Sequence, residues 1–148
     1  MDMSTPCKGN RSGCPVCPFT APPTSQVVND INGYVHIIKE DVNCQSKNVL
    51  YRWRCRKPNC KEHPKNSYIG KTTRTFQQRF SEHRDYVKSE NINEPSGHHF
   101  NLPGHNVSHI EGLVIEQVHS NDPFILKARE HHLIQKFDTF RNGLNKEN

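Results

Sequence analysis

Glu130 is the carboxylate whose position in this chain most needs a chemical explanation. It lies four residues after Leu126 and three before Leu133, so the 3.6-residue period of a helix places it on their apolar stripe. A carboxylate on an inward face costs several kcal/mol unless a cation or a metal ion pairs with it. Glu130 is therefore a candidate metal ligand. The alternatives are an ion pair with a neighbour such as Arg129, or a half-exposed position at the helix edge.

Arg79 and His83 form a second candidate pair, because residues four apart lie on one helix face, one turn from each other. A fixed, planar guanidinium suits a transferred phosphoryl group better than an ammonium does. Tyr51 could accept a proton from water if a metal ion and an arginine favoured its ionised form. Each residue also has a purely structural alternative. Arg79 can extend past its aromatic neighbours to solvent, and Tyr51 and Tyr68 can be core aromatics.

The six cysteines are a further set of candidate ligands. The first residues contain no apolar signal segment, and no run approaches the roughly 18 apolar residues of a membrane span. We therefore expect a nuclear or cytoplasmic protein that is not secreted and has no membrane partner. There, cysteines more often bind metal than form disulfides. Cys7, Cys14, Cys17 and the distant Cys44 could form a zinc site of four thiolates, which would be additional to the one described below. The alternative is one incomplete zinc knuckle in a disordered tail.

Short strands are the first elements expected to position these side chains. Alternation and β-branched or aromatic residues predict a half-buried strand over 48–55. Further short strands are expected over 33–38, 67–70 and 112–118. Residues 91–110 contain several prolines and glycines, which predicts a region of loops.

Two helices complete the predicted elements. A helix is expected over 75–88, where Thr75 and Gln78 can form a capping box. A second is expected over 123–137, with Asp122 as N-cap and a proline at its first position. Small β elements bracketed by two helices give an α+β fold class.

Length and charge narrow the class of protein. The 148 residues suit one domain of roughly 100 residues plus an appendage. Only 32% of the residues are hydrophobic, which favours stabilisation of the fold by bound metal ions over stabilisation by a large core. Eleven Lys and Arg but three acidic residues lie between Tyr51 and Lys88, a charge balance that suits a polyanionic partner. The alternative is a solvated basic surface.

Five separated pieces of the chain together resemble the core of a GIY-YIG nuclease. They are Val49-Leu50-Tyr51, Tyr68-Ile69-Gly70, Arg79 with His83, Glu130, and Asn145. The resemblance spans residues 48–146 and implies a small antiparallel three-stranded sheet flanked by helices. It places a nuclease domain over 48–148, which leaves an N-terminal cysteine-containing extension over 1–47.

The resemblance implies catalytic roles for residues of this chain. Tyr51 would be the general base, and Tyr68 would help position the nucleophile and the phosphate. Arg79 would neutralise developing charge, and Glu130 would hold a catalytic Mg²⁺ or Mn²⁺ ion. His83 would follow the arginine one turn later.

The remaining implied roles concern the walls of the site. Asn145 would close it near the end of the chain. Gly70 would allow close approach of the backbone, and with Lys71 and Arg74 it forms the expected substrate-binding set.

Two departures from the family pattern are informative. The first motif is Val-Leu-Tyr instead of Gly-Ile-Tyr, and the gap between the tyrosine motifs is long and contains two cysteines. That gap resembles the zinc-containing eukaryotic type found in Penelope-like retroelements. The resemblance implies a structural zinc site formed by Cys55, Cys60, His99 and His105, with His63 as a rival third ligand. The alternative is free buried cysteines and surface histidines.

These observations predict a metal-dependent DNA endonuclease that nicks phosphodiester bonds and derives from a mobile element. No small-molecule cofactor is expected, and a polymerase or DNA-targeting domain would be supplied elsewhere. The first rival is a zinc-stabilised nucleic-acid-binding module without catalysis. The second is an interaction adaptor of the RING type, for which regularly paired cysteine knuckles would be needed.

Overall fold

The computed structural model describes residues 2–7 and 14–146, which form five strands and three helices. The strands are β1 (Gln26–Val28), β2 (Val35–Ile37), β3 (Lys47–Cys55), β4 (Ser67–Thr75) and β5 (Ile110–Gln117). The helices are α1 (Phe76–Lys88), α2 (Pro95–His99) and α3 (Pro123–Phe137), and single 3-10 turns lie at Cys17–Phe19 and Val107–His109.

The central feature is an antiparallel three-stranded sheet in the order β4-β3-β5, beside a separate β1-β2 hairpin. The predicted α+β class and three-stranded sheet are therefore confirmed. The register of β3 on β4 pairs Tyr51 with Gly70 and Trp53 with Tyr68. The two tyrosine motifs therefore lie side by side, although they are separated along the chain.

The expectation that β3 would be half-buried was wrong. Leu50 and Arg52 point to the face opposite Tyr51 and are also buried. The cause is tertiary, because α3 packs against β3 and β4 on one side while α1 packs against the sheet on the other. Alternation within one strand cannot reveal a second layer of that kind.

Two other regions differ from the expectation. β4 continues to Thr75 instead of ending at Gly70, because it pairs with β3 as far as Lys47. The expected loops over 91–110 contain α2 and a 3-10 turn. α2 is held by tertiary contacts, since Ser96 Oγ donates to the His83 carbonyl over 3.0 Å.

Both long helices begin as their sequences predict. Thr75 caps α1 through the reciprocal capping box with Gln78. Asp122 caps α3, where its side chain accepts from the Phe124 N–H over 2.9 Å, and Pro123 occupies the first helical position. These local interactions satisfy N–H groups that the helix itself cannot.

The N-terminal residues pack onto the sheet and onto α1. The Ala21 N–H donates to the Gly112 carbonyl over 3.0 Å. The first N–H groups of α1 donate to this segment as well, from Phe76 to Ser46 over 3.1 Å and from Gln77 to Cys44 over 2.8 Å. Over the described ranges, no helix combines the length and apolar character needed to cross a membrane.

Candidate active site and metal clusters

The hydroxyl of Tyr51 is the point on which the candidate catalytic side chains converge. It lies 2.6 Å from His83 Nε2 and accepts a hydrogen bond from Arg79 Nε over 3.3 Å. Tyr51 extends from β3 toward α1, and Arg79 and His83 lie one turn apart on the facing side of that helix. The predicted helical spacing therefore delivers both side chains to one oxygen.

The protonation states of this group follow from its burial. Burial, together with the positive charge of Arg79, lowers the pKa of His83 to about 3, so its imidazole is neutral near pH 7. Burial, assisted by Tyr68, raises the pKa of Tyr51 well above its ordinary value. Because Arg79 already donates to the phenol oxygen, the Tyr51 proton is best placed to point at His83 Nε2. His83 Nδ1 is buried and has no partner among the described residues.

Gly70 leaves the space that the Tyr51 side chain occupies. A Cβ atom at this position would lie 2.5 Å from Tyr51 Cζ and 2.8 Å from Tyr68 Cε1. Such separations are far below van der Waals contact, and the obstacles are the buried ring of Tyr51 and the partly buried ring of Tyr68 rather than flexible chain ends. Any larger residue at position 70 would therefore displace one of the two tyrosines.

Arg79 is fixed on two sides and open on a third. Besides Tyr51, its guanidinium contacts Glu82 Oε1 through Nη1 over 2.9 Å, and 24% of the side chain is exposed. Its Nη2 makes no hydrogen bond within the described part of the chain. A guanidinium held in this way keeps a planar donor free for an anionic ligand.

Glu130 lies at a partly open edge of the same region. Its carboxylate pairs with Lys71 Nζ over 3.3 Å, and 20% of its side chain is exposed. Arg129, the alternative partner considered from sequence, instead binds Glu116 through two hydrogen bonds of 2.6 and 2.8 Å. Glu130 is close enough to act on Tyr68, whose pKa is raised to about 12 by burial first and by the negative charge of Glu130 in addition.

A single carboxylate in this setting can anchor a hard divalent cation. Mg²⁺ commonly binds proteins through one or two carboxylates and fills its other positions with water and phosphate oxygens. The oxygens of Glu130 accept only from the exposed ammonium of Lys71 among the described residues. The donor set thus fits such an ion.

The side chains of Asn145 and Arg74 are engaged by other residues of the chain, although both were expected to line the substrate site. The Asn145 side chain accepts from the Ile69 N–H over 2.9 Å and donates to the Ile69 carbonyl over 2.8 Å. It therefore satisfies the free edge of β4 midway between Tyr68 and Gly70. Arg74 pairs with Glu82, the same carboxylate that holds Arg79.

The family model of the GIY-YIG catalytic domain matches residues 47–147, which is more than half of the chain. The chain belongs to the GIY-YIG family. At the level of this family the domain is an endonuclease-type hydrolase with DNA as its implied substrate. A comparison with curated proteins and with solved structures found no match.

The GIY-YIG domain also contains a group of metal-ligating side chains, which we name the mixed cluster. Its members are Cys55, Cys60, His99 and His105, whose ligand atoms all lie within 4.8 Å of one another. The distance from Cys60 Sγ to His99 Nε2 is 3.7 Å, close to the roughly 3.5 Å between sulfur and nitrogen ligands of one tetrahedral zinc ion. His63, the rival ligand, lies 3.6 Å from Asp30 Oδ2 instead.

Outer contacts orient the mixed cluster. His99 Nδ1 lies 2.9 Å from Glu62 Oε2, which fixes the tautomer that leaves Nε2 available as a ligand. The Lys57 N–H donates to Cys55 Sγ over 3.4 Å. His105 Nε2 is buried and has no hydrogen-bond partner in the described part of the chain. A bound cation would satisfy that nitrogen.

A second group, the four-thiol cluster, consists of Cys7, Cys14, Cys17 and Cys44, with its sulfur atoms also within 4.8 Å of one another. The Cys17 and Cys44 sulfurs are 3.8 Å apart, the separation of about 3.8 Å expected for two thiolates on one zinc ion. The Cys7 N–H donates to Cys17 Sγ over 3.2 Å. Burial raises the pKa of Cys17 to about 11 and also raises that of Cys44, so these two thiols would be protonated without a cation.

Sequence reasoning did not identify several contributors to these sites. Glu62 carried no signal beyond its place between Cys60 and His63, and Glu82 could have been considered only as a helix neighbour of Arg79. Trp53 falls within the strand predicted over 48–55, but nothing in the sequence singled it out as part of a site. Its position opposite Tyr68 follows from strand register, which the sequence alone did not give.

Proposed function

We propose that this protein is a metal-dependent DNA endonuclease that nicks phosphodiester bonds and derives from a mobile element of the Penelope-like type. The observation that carries the proposal is the convergence of Arg79 and neutral His83 on the Tyr51 hydroxyl within a GIY-YIG domain. A nuclear location suits such an enzyme, although a cytoplasmic one is compatible. A targeting or polymerase domain would come from elsewhere.

In this proposal, Tyr51 activates water through a relay of two protons. The water proton moves to Tyr51 Oη as the phenol proton moves to His83 Nε2, so the buried phenol never has to exist as an isolated phenolate. The hydroxide oxygen then bonds to phosphorus, and the P–O bond to the leaving oxygen breaks. The charge of a nearby DNA phosphate would favour the transient imidazolium, which is otherwise disfavoured by burial.

The other side chains bind and orient the phosphate. Arg79 would donate through Nη2 to the oxygens that gain negative charge, and Tyr68 would limit where the phosphate sits. Glu130 would hold Mg²⁺ or Mn²⁺, which would polarise the scissile phosphate and stabilise the leaving oxygen. Gly70, Lys71 and Arg74 would line the path of the strand.

We further propose that both cysteine-containing clusters bind Zn²⁺ as closed structural sites. Thiolates and imidazoles in sets of four suit zinc, and neither set leaves a ligand position for a substrate. The support is the ligand distances together with the contact from Glu62 to His99. Two zinc ions per chain are expected by elemental analysis, and one or none would contradict this assignment.

One observation favours a second candidate, a DNA-binding module without catalysis. The Tyr51 side chain is 0% exposed, so water would need an opening of the cleft to reach its oxygen. DNA binding could cause that opening, as catalytic contacts often tighten only in the substrate complex. The two candidates differ in a single measurable property, which is cleavage.

The deciding experiment is nicking of supercoiled plasmid with Mg²⁺ at matched zinc content. Glu130→Ala should reduce the rate about 10²-fold or more, and Tyr51→Phe should reduce it by about 10²- to 10⁴-fold. Glu40→Ala is the control carboxylate because Glu40 also contacts a side-chain nitrogen, that of His119, but outside the site. Tyr34→Phe is the control tyrosine, since its hydroxyl also faces a histidine, His36.

Both control variants should nick at the wild-type rate. Wild-type protein that binds DNA tightly without nicking it, with binding unchanged in Glu130→Ala, would contradict the enzyme and favour the binding module. Nicking that survives both active-site substitutions would point to a contaminating nuclease.

A further inference from the structure

Trp53 is a fully buried side chain that contacts two of the candidate catalytic residues. It lies on β3 directly opposite Tyr68 and stacks on that ring, with centroids 5.1 Å apart and planes 14° apart. Its indole also meets the His83 ring edge to face, with centroids 6.1 Å apart and planes at 63°. A single ring thus forms the wall behind both side chains.

Trp53 is also connected to the mixed cluster through one further aromatic ring. The indole packs against Phe100 in a T-shaped contact of 5.5 Å and 61°. Phe100 in turn packs on the ring of its chain neighbour His99, with centroids 4.9 Å apart. An unbroken series of aromatic contacts therefore leads from a ligand of the mixed cluster to Tyr68 and His83.

The indole at this position has a cost that packing alone would avoid. Its Nε1 is buried without a hydrogen-bond partner among the described residues. An unsatisfied buried donor costs about 1–3 kcal/mol, whereas phenylalanine or leucine would carry no such penalty. What distinguishes tryptophan is its size, which lets one rigid ring touch Phe100, Tyr68 and His83 together.

We propose that Trp53 is a positioning residue that transmits the state of the mixed cluster to Tyr68 and His83. This inference rests on the proposed nuclease function for its catalytic consequence. An ion in the cluster would fix the His99 ring, and His99 would fix Phe100 against Trp53. Trp53 would then hold the two catalytic rings at their working distances. When the ion is removed, the indole is free to shift and the rings lose their support.

The first test needs no catalysis, because Trp53 is the single tryptophan of the chain. Its fluorescence emission should change when EDTA removes metal from the full-length protein, and it should recover when Zn²⁺ returns. In Cys44→Ser, which retains only the mixed cluster, EDTA should cause the same change. In Cys60→Ser, which retains only the four-thiol cluster, EDTA should leave the emission unaltered. If EDTA leaves the emission of wild type and Cys44→Ser unchanged, the inference is overturned.

The second test separates positioning from stability. Trp53→Phe should lower kcat for plasmid nicking by about ten- to a hundredfold, with KM and zinc content near wild type. Phe137→Leu is the matched control, since Phe137 is equally buried but packs on Tyr34 and His36 away from the site. A kcat for Trp53→Phe equal to that of Phe137→Leu overturns the inference. Wild-type protein that shows no nicking overturns the proposed function, while the emission test still decides the coupling.

Discussion

The mixed cluster and the four-thiol cluster support the same helix α1 by different means. The four-thiol cluster acts through the backbone, because the carbonyl of its member Cys44 accepts the Gln77 N–H in the first turn of α1. The mixed cluster acts through side chains, by way of Phe100 and Trp53. The four-thiol cluster therefore supports the first turn of α1, whereas the mixed cluster supports the rings that face this helix.

The comparison also concerns how firmly each cluster is built. In the mixed cluster three of four ligands are buried, and a carboxylate orients one of them. In the four-thiol cluster two of four thiols are partly exposed, and its ligands come from segments as distant as Cys7 and Cys44. Local contacts near the catalytic rings should transmit a disturbance more strongly than a distant backbone brace. The mixed cluster should therefore matter more for activity.

The largest effect is expected from Cys60→Ser, which removes a thiolate of the mixed cluster. Structural zinc contributes about 10–16 kcal/mol of apparent binding free energy in small domains, so its loss should partly unfold this region. We expect loss of one zinc ion per chain, a lower melting temperature and at least a 10²-fold loss of nicking. Elemental analysis, thermal unfolding and plasmid nicking measure these three. If Cys60→Ser kept its full zinc content and full activity, the mixed cluster would not be a zinc site on which activity depends.

A smaller effect is expected from Cys44→Ser. Loss of the four-thiol ion should loosen the first turn of α1 and shift Arg79, with about a tenfold loss of kcat, because small misplacements of catalytic groups are costly. The comparison would reverse if this variant lost more activity than Cys60→Ser. Loss of one zinc ion from Cys44→Ser with a wild-type circular-dichroism spectrum would exclude general unfolding as the cause of its lower kcat.

A substitution at Glu62, which orients a ligand without being one, should change metal affinity alone. Glu62→Gln should weaken zinc binding at the mixed cluster by about 10- to 100-fold, because the carboxylate that orients His99 is lost. Competition with a chromogenic chelator measures the two affinities separately. Glu40→Gln is the control, since Glu40 makes a carboxylate–histidine contact with His119 at 2.7 Å outside both clusters. Equal affinities in the two variants would mean that Glu62 does not support the site.

The smallest effect concerns the contact between the N-terminal segment and α1. The Arg84 guanidinium carbon lies 3.6 Å from the centre of the Phe19 ring. Phe19→Leu should lower the free energy of unfolding by about 0.5–2 kcal/mol through loss of this cation–π contact. A double-mutant cycle in urea with Arg84→Gln isolates the pair. A coupling energy of zero would mean that this cation–π contact does not stabilise the packing of the N-terminal segment on α1.

Local patterns were sufficient for most of the elements. Thr75 with Gln78, and Asp122 with Pro123, mark the two long helices because capping depends on residues within one turn. They failed at α2 and at the far end of β4, where tertiary contacts stabilise segments that have weak local signals. They also failed on the burial of Arg52, which depends on layers contributed by distant parts of the chain.

The sequence by itself determined the residue types of the site and the spacing that places Arg79 and His83 on one face, because helical geometry is local. Tertiary structure alone decided that Tyr51 meets His83, that Glu130 pairs with Lys71 instead of Arg129, and that Glu62 and Trp53 join the sites. Strand register and the folding of loops onto helices set these contacts. Both depend on residues far apart in the chain, whose meeting no local spacing encodes.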